Sequence, residues 1–393
     1  MKKYNFDTPY ERRGTDATKY EELAEKYGRT DLFPLWIADM DFKVAEPITE
    51  ALVAAMSQPV LGYTTAPVDF RGSIASWLGR RHGWEVSAAE IDFTPGVKKG
   101  IGLILNYFTR PGDKVLIQPP VYHSFRSVIT GNGRVPVTNP LVEDAGGNYG
   151  MNLEALEATI AAERPVMMIV CNPHNPIGVQ WSAETLARVA EICRRHGVIL
   201  LSDEIYGDMV FAPARHIPTA SVSDTARDIT VTIGAPSKSF NIPGIASAWV
   251  VIKNTSLREG FFGWLRASEF DTPPTCAIYG MRAAYSQCDE WLDAVLDYLK
   301  ANCEFAIEYI GRNMPGVKAV RPDAGFGLWI DFRGLGLTHE ALNALLVEKA
   351  RVALSDGASF GAEGTGLVRL NFGVTRATLT EGLERIRQAL EGL

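Results

Sequence analysis

"SAETLARVAEICRRHGVILLSDEIY" runs from Ser182 to Tyr206 and holds two structural periods in one stretch. In its first part Leu186, Val189, Ala190 and Cys193 recur at three- and four-residue spacing, the stripe of an amphipathic helix. Ser182 stands where an N-cap hydroxyl can take an orphan N–H, Glu184 lies in the first turn, and Gly197 follows the last. The second part, "VILLSDE" (198–204), is a short apolar run of strand length that ends on a carboxylate. A helix followed at once by a buried strand is the repeating unit of a parallel sheet covered by helices.

Similar runs lie on either side: "KVLIQPP" (114–120), "VMMIVCN" (166–172), "DITVTIG" (228–234) and "SAWVVIK" (247–253), several of them separated by helical patterns. The sequence therefore predicts an α/β fold with a large domain whose mostly parallel sheet is flanked by helices. Near residue 290 the texture changes. "WLDAVLDYLKANCEFAIEYIGRN" (291–313) puts Leu292, Val295, Leu296, Leu299, Cys303, Ala306 and Ile310 on one face, a helix of about six turns. A strand "GFGLWIDF" (325–332), a helix over about 338–350 and a strand "GLVRLNF" (366–372) follow, the makings of a smaller α+β domain. No Pro/Gly/Ser linker interrupts the chain near 285, so the long helix is expected to join the two. The large domain is expected over 49–287, and the small one over 1–48 together with 288–393.

Composition narrows the function. A chain of 393 residues is too long for one compact core. A hydrophobic content of 46% with 22% charged residues is ordinary for a globular protein. The net charge of −7 and the lack of a basic tract disfavour nucleic acid as a partner. "MKKYNFDTPYERRG" at the N-terminus lacks the apolar segment of a signal peptide, and no apolar run approaches the roughly 18 residues that span a bilayer. Five scattered cysteines without a C-x-x-C pair read as reduced thiols of a cytoplasmic protein. The six histidines form neither H-x-x-x-H nor H-E-x-x-H, so no metal site is expected.

Ligands of open α/β sheets sit beyond the carboxyl ends of the strands. There the sequence places Asn172 and Asn175 in "NPHNPIG" (172–178), Asp203 and Tyr206 in "DEIY", and Lys238 between Ser237 and Ser239 in "GAPSKSFN" (234–241). "TPGVKKG" (94–100) precedes a helix and can aim backbone N–H groups at an anion. Singly, each has an ordinary reading: strand-end lysines are usually solvated, "NPHNP" is a good turn, and Arg369 in a strand pattern is unremarkable. Together an amine, a carboxylate, a phenol, an amide and an anion nest suit an aldehyde cofactor with a phosphate and a pyridine nitrogen.

Longer stretches surround these residues: "LWIADMDF" (35–42), "GYTT" (62–65), "RPGDKVLIQPPVYHSF" (110–125), "RHGVILLSDEIYGDMVF" (195–211), "SKSFNIPG" (237–244) and "GLVRLNFG" (366–373). Through them the chain resembles the fold-type I pyridoxal 5'-phosphate (PLP) enzymes of the class I/II aminotransferase superfamily, and within it the MalY/PatB-type cystathionine β-lyases. The resemblance implies that Lys238 holds PLP as a Schiff base and serves as the catalytic base, and that Asp203 pairs with the pyridinium nitrogen. Asn175 and Tyr206 would bond the ring O3', and Tyr122 would stack on the ring. Gly96, Val97 and Lys98 would cradle the phosphate through their N–H groups, with help from Ser237. Tyr63 would reach the phosphate of a neighbouring subunit, so the active unit would be a homodimer, with 269–280 near its interface. Arg369 and Asn175 would clamp the substrate carboxylate, and the backbone at Ile37 and Ala38 would close over it.

The implied activity is carbon–sulfur β-elimination from cystathionine or a related S-substituted cysteine, as in methionine biosynthesis. Departures from the pattern keep two other readings open, an aminotransferase on an L-amino acid and a PLP-fold regulatory protein without turnover. Ala235 stands where relatives often carry a serine, and "FNIPGIAS" (240–247) has no arginine for the phosphate, as in the lyase branch. Tyr206 replaces the histidine frequent in lyases and is commoner among aminotransferases.

Overall fold

The computed structural model describes residues 4–391. Seven strands form the large sheet in the spatial order Ile91–Thr94, Ala248–Ile252, Thr230–Gly234, Ile199–Asp203, Met167–Cys171, Lys114–Ile117 and Val135–Thr138. The last five run parallel, while Ala248–Ile252 is antiparallel to both its neighbours. Side chains alternate between two helical layers, as a period of two requires. Val115, Ile117, Ile169, Leu201 and Val231 pack with Ile101, Ile104 and Phe261 on one side. Leu116, Met168, Val170 and Leu200 pack with Leu156, Leu186 and Val189 on the other. Burial on both faces explains why these strands read as nearly unbroken apolar runs.

The helix Ala183–Arg195 forms as its sequence predicts. Ser182 Oγ accepts the Thr185 N–H at 3.1 Å, and Gly197 takes the left-handed φ of +68° that ends the segment. The long helix Asp289–Asn313 extends about 38 Å. Its buried face carries Leu292, Val295, Leu299, Cys303, Ala306 and Ile310 as expected. Leu296 sits on the boundary and is only partly buried, and Trp291 takes its place in the core. The expected helix over 338–350 is His339–Ala344 continued by a wider π turn, Leu345–Lys349, in which the Ala350 N–H reaches Leu345 O.

A second, antiparallel sheet has the order Lys318–Ala319, Gly327–Asp331, Leu367–Asn371, Ser355–Asp356. The N-terminal segment is tied to this part of the chain. Phe33–Pro34 pairs in parallel with Val352–Ala353, and Leu35 O accepts the Asn371 N–H at 2.8 Å. From there residues 36–42 cross to the large sheet's strand ends, with Met40 and Phe42 buried in the same cluster as Phe240, Trp291 and Phe326. No helix among the described residues is long and apolar enough to cross a membrane.

Candidate active site

Asp203 ends the strand Ile199–Asp203 with 3% of its surface exposed. Its Oδ1 accepts the Ile205 N–H at 3.1 Å, and it forms no ion pair among the described residues. Burial pushes its pKa up to about 7, against the pull of that N–H and of Lys238. Lys238 lies on the single turn Pro236–Ser239 that follows the neighbouring strand Thr230–Gly234. Its Nζ donates to Ala38 O at 2.5 Å. Burial lowers the amine's pKa to about 8, with Asp39 and Asp203 opposing the shift. The sheet thus sets an unpaired acid and an unpaired amine at adjacent strand ends.

Residues next in sequence to both are locked into buried polar networks. Ser239 Oγ donates to Asp208 Oδ2 at 2.8 Å, and Asp208 Oδ1 also meets Trp77 Nε1 and His82 Nε2 at 2.8 Å each. Beside Asp203, Glu204 accepts from Ser202 Oγ and the Thr219 N–H and meets His216 Nε2, all at 2.8 Å. The His82 and His216 rings touch edge to face, with centroids 5.0 Å apart. Such satisfied networks fix the backbone that carries Lys238 and Asp203.

From the second sheet comes Arg369, 7% exposed. It donates to Asn175 Oδ1 (2.8 Å), Trp36 O (3.2 Å) and Ser355 Oγ (3.2 Å), and its guanidinium lies 5.0 Å from the Phe360 ring centroid. It has no carboxylate partner among the described residues, an unusual state for a buried guanidinium. Asn175, Tyr206, Arg369 and Ala38 line one pocket. Burial raises the Tyr206 phenol's pKa, and Tyr122 is near enough to act electrostatically on both Tyr206 and Arg369.

The helix Val97–Phe108 begins at Gly96, whose φ of +101° strains any side-chain-bearing residue. The Val97 and Lys98 N–H groups and the Ser237 hydroxyl have no partner among the described residues, so they remain available to an anion. Ile37 and Ala38 sit on the crossing segment. Ile37 O is taken by Asn371 Nδ2 (2.6 Å) and Ala38 O by Lys238. Tyr63 stands apart: it is fully exposed and makes no hydrogen bond or ring contact with these groups among the described residues. Sequence reasoning did not single out Asp39, Asn241 and Asn371. All three lie inside the stretches "ADMDF", "SKSFN" and "GLVRLNF", where only position in space gives them a role.

This arrangement can take a ligand with an anion at the helix start, a proton-bearing nitrogen at Asp203, a carbonyl at Lys238 and a carboxylate at Arg369. The model of the family "Aminotransferase class I and II" matches residues 30–386. Cystathionine beta-lyase PatB of Bacillus subtilis is 39% identical over 98% of this chain and 100% of its own. Protein MalY of Escherichia coli is 33% identical over 99% of this chain and 100% of its own. The crystal structure of cystalysin from Treponema denticola, which contains a pyridoxal 5'-phosphate cofactor, superposes with a TM-score of 0.93 at 30% identity, covering 99% of both chains. Matched along nearly its whole length in sequence and in fold, this chain belongs to the class I and II aminotransferase family and is similar to that family's MalY/PatB-type carbon–sulfur lyases.

Proposed function

We propose that this protein is a PLP-dependent carbon–sulfur β-lyase that converts cystathionine, or a related S-substituted cysteine, to a thiol, pyruvate and ammonia. The observation that carries it is that Lys238, Asp203 and Arg369 lie within electrostatic reach of one another, Asp203 and Arg369 buried and Lys238 partly so, with no ion pair to any of the three among the described residues. Each costs stability while unpaired, and each has a complement in PLP or in an amino acid. The fit extends to the free N–H groups at Val97 and Lys98 and to the Ser237 hydroxyl, which suit a phosphate. Bound PLP supplies an electron-withdrawing ring that makes the substrate Cα–H acidic and the β-substituent labile.

The chain's own residues do the rest. Arg369 meets the substrate carboxylate with a planar fork, and Asn175, which already accepts from Nη1, sets the fork's orientation. Asp203 stays ionised once a cation pairs with it, and so keeps a proton on the ring nitrogen. Tyr206 and Asn175 would hydrogen-bond the ring oxygen, and Tyr122 would pack against the ring. Lys238 would take the Cα proton of the bound substrate. It works at close range because the turn Pro236–Ser239 is pinned through Ser239 and Asp208. The crossing segment at Ile37 and Ala38 shields that proton from water.

The active unit is a cytoplasmic homodimer in which Tyr63 serves the partner's site, in keeping with its complete exposure here. Residues 49–287 form the cofactor-binding domain, and 1–48 with 288–393, of which 1–3 and 392–393 lie outside the described residues, form the small domain. The cysteine-like substrate and the direction of reaction rest on the "ADMDF" and "SKSFNIPG" stretches and on the missing arginine after Lys238. Borohydride reduction of the PLP-loaded protein, followed by peptide mapping, tests the assignment. Label on Lys238 is expected; label on another lysine, or none, contradicts it.

A further inference from the structure

The stretch "ADMDF" (38–42) is held from both sides of the cleft. Asn371 Nδ2 donates to Ile37 O (2.6 Å) and Asp39 O (2.7 Å). Asn241, three residues after Lys238, donates to Met40 O (2.8 Å) and Phe42 O (3.0 Å) and accepts the Met40 N–H (2.9 Å). Two carboxylates on this strap share one guanidinium. Arg12 Nη2 meets Asp39 Oδ2 at 2.7 Å, and Nη1 meets Asp41 Oδ1 at 2.8 Å. Asp41 Oδ2 is taken by the fully buried Lys19 at 2.6 Å.

Three of the four carboxylate oxygens are therefore satisfied. The fourth, Asp39 Oδ1, is buried with no hydrogen-bond partner among the described residues. Folded proteins seldom leave such an atom bare, because desolvation without a partner is costly. Asp39 and Lys238 line the same cavity, and Lys238 Nζ already donates to Ala38 O, one residue away. The charged groups that act on the amine come from three elements: Asp39 from the strap, Asp203 from its strand end, and Arg369 from the second sheet. Of the two acids, Asp39 weighs more.

We propose that Asp39, anchored by Arg12, is the positioning residue for Lys238: its charge keeps the amine a cation resting on Ala38 O whenever the amine is not bonded to the cofactor. The inference rests on the reading of Lys238 as the PLP lysine. It gives the freed amine a fixed resting point from which to return a proton, and it sets the pH at which the empty protein captures PLP. Capture needs the neutral amine: its lone pair adds to the aldehyde carbon and water then leaves.

The test follows covalent PLP capture by the cofactor-free protein, read from absorbance, as a function of pH. Asp39→Asn removes an opposing charge, which lowers the amine's midpoint by about one unit. With a wild-type midpoint of about 8, capture at pH 7 should then be about fivefold faster, with rates converging at high pH. Asp39→Glu should restore the wild-type profile. Arg12→Gln leaves more negative charge facing Lys238 and should move the midpoint upward and slow capture at pH 7. Damage to the fold slows capture and yields no gain. An unmoved midpoint in Asp39→Asn, or slower capture throughout, overturns the proposal; if that variant does not fold, an unmoved or lowered midpoint in Arg12→Gln does so. Failure of the wild type to capture PLP removes the proposed function and this inference together, whereas wild-type capture at Lys238 with an unshifted Asp39→Asn profile removes only the latter.

Discussion

Arg369→Ala separates a binding charge from a structural one. Among the described residues the guanidinium donates to three neutral acceptors and to no carboxylate. Of these, Trp36 O keeps its bond from Ser355 Oγ at 2.7 Å, so truncation leaves mainly Asn175 Oδ1 bare. That loss costs about 1–3 kcal/mol, and it is offset by no longer burying an unpaired cation. Folding stability in urea should therefore change by no more than about 1 kcal/mol. With substrate bound the balance reverses, because the carboxylate enters a buried site without its partner. Breaking such a pair costs about 3–5 kcal/mol, or roughly two to three and a half orders of magnitude in kcat/KM. Most of it should appear in KM, since the carboxylate is bound alike in ground and transition states. Steady-state kinetics on cystathionine, with the absorbance of bound PLP as a control, reads both. An unchanged KM with the cofactor in place would refute the assignment of Arg369 as the carboxylate clamp, and a large loss of stability would show that its role is structural.

Asp203→Asn should stabilise the cofactor-free protein while abolishing turnover. Because burial raises the folded-state pKa to about 7 from the ordinary carboxylate value of 3.8, wild-type stability from this group is full below about pH 4 and is lost as pH rises towards 7. The variant's advantage should thus open across that window and reach up to about 4 kcal/mol, measured by urea unfolding at a series of pH values; a constant difference from pH 4 to 8 argues against it. For the shared site, subunits carrying Lys238→Ala and Tyr63→Phe should complement when mixed and refolded, because half of the hybrid's sites regain both groups. A fully active monomer in sedimentation contradicts the sharing.

The central strands were legible because burial on both faces leaves them apolar, and the residues at their carboxyl ends stood out against that background. The strands Ile91–Thr94 and Val135–Thr138 were not, and both lie at the edges of the sheet. In the first, buried Asp92 breaks the apolar run and is tied to Arg71 at 2.5 Å. In the second, Pro136 forfeits a ladder donor, which an edge tolerates. The short strand Ser355–Asp356 has too few residues to carry a period. At the site, Lys238, Asp203, Asn175 and Arg369 could be found from strand ends and family stretches. The His82–Asp208–Ser239 and His216–Glu204 networks could not, because their partners are far apart in sequence and each residue alone looks like a surface polar group. Asp39 is the sharpest instance: its motif was visible, but the bare oxygen exists only in three dimensions.

Incubating the PLP-loaded protein with L-cystathionine and no keto acid, while thiol, pyruvate and ammonia are followed together, separates elimination from amino-group transfer. A β-lyase regenerates its starting cofactor form in every cycle, whereas an aminotransferase stops after one turnover until a keto acid restores it. Continuous release of all three products in equal amounts over many turnovers, with the cofactor absorbance unchanged at the end, is the expected result. A single turnover, no free thiol, and activity that appears only on adding a keto acid would contradict it and assign the site to amino-group transfer.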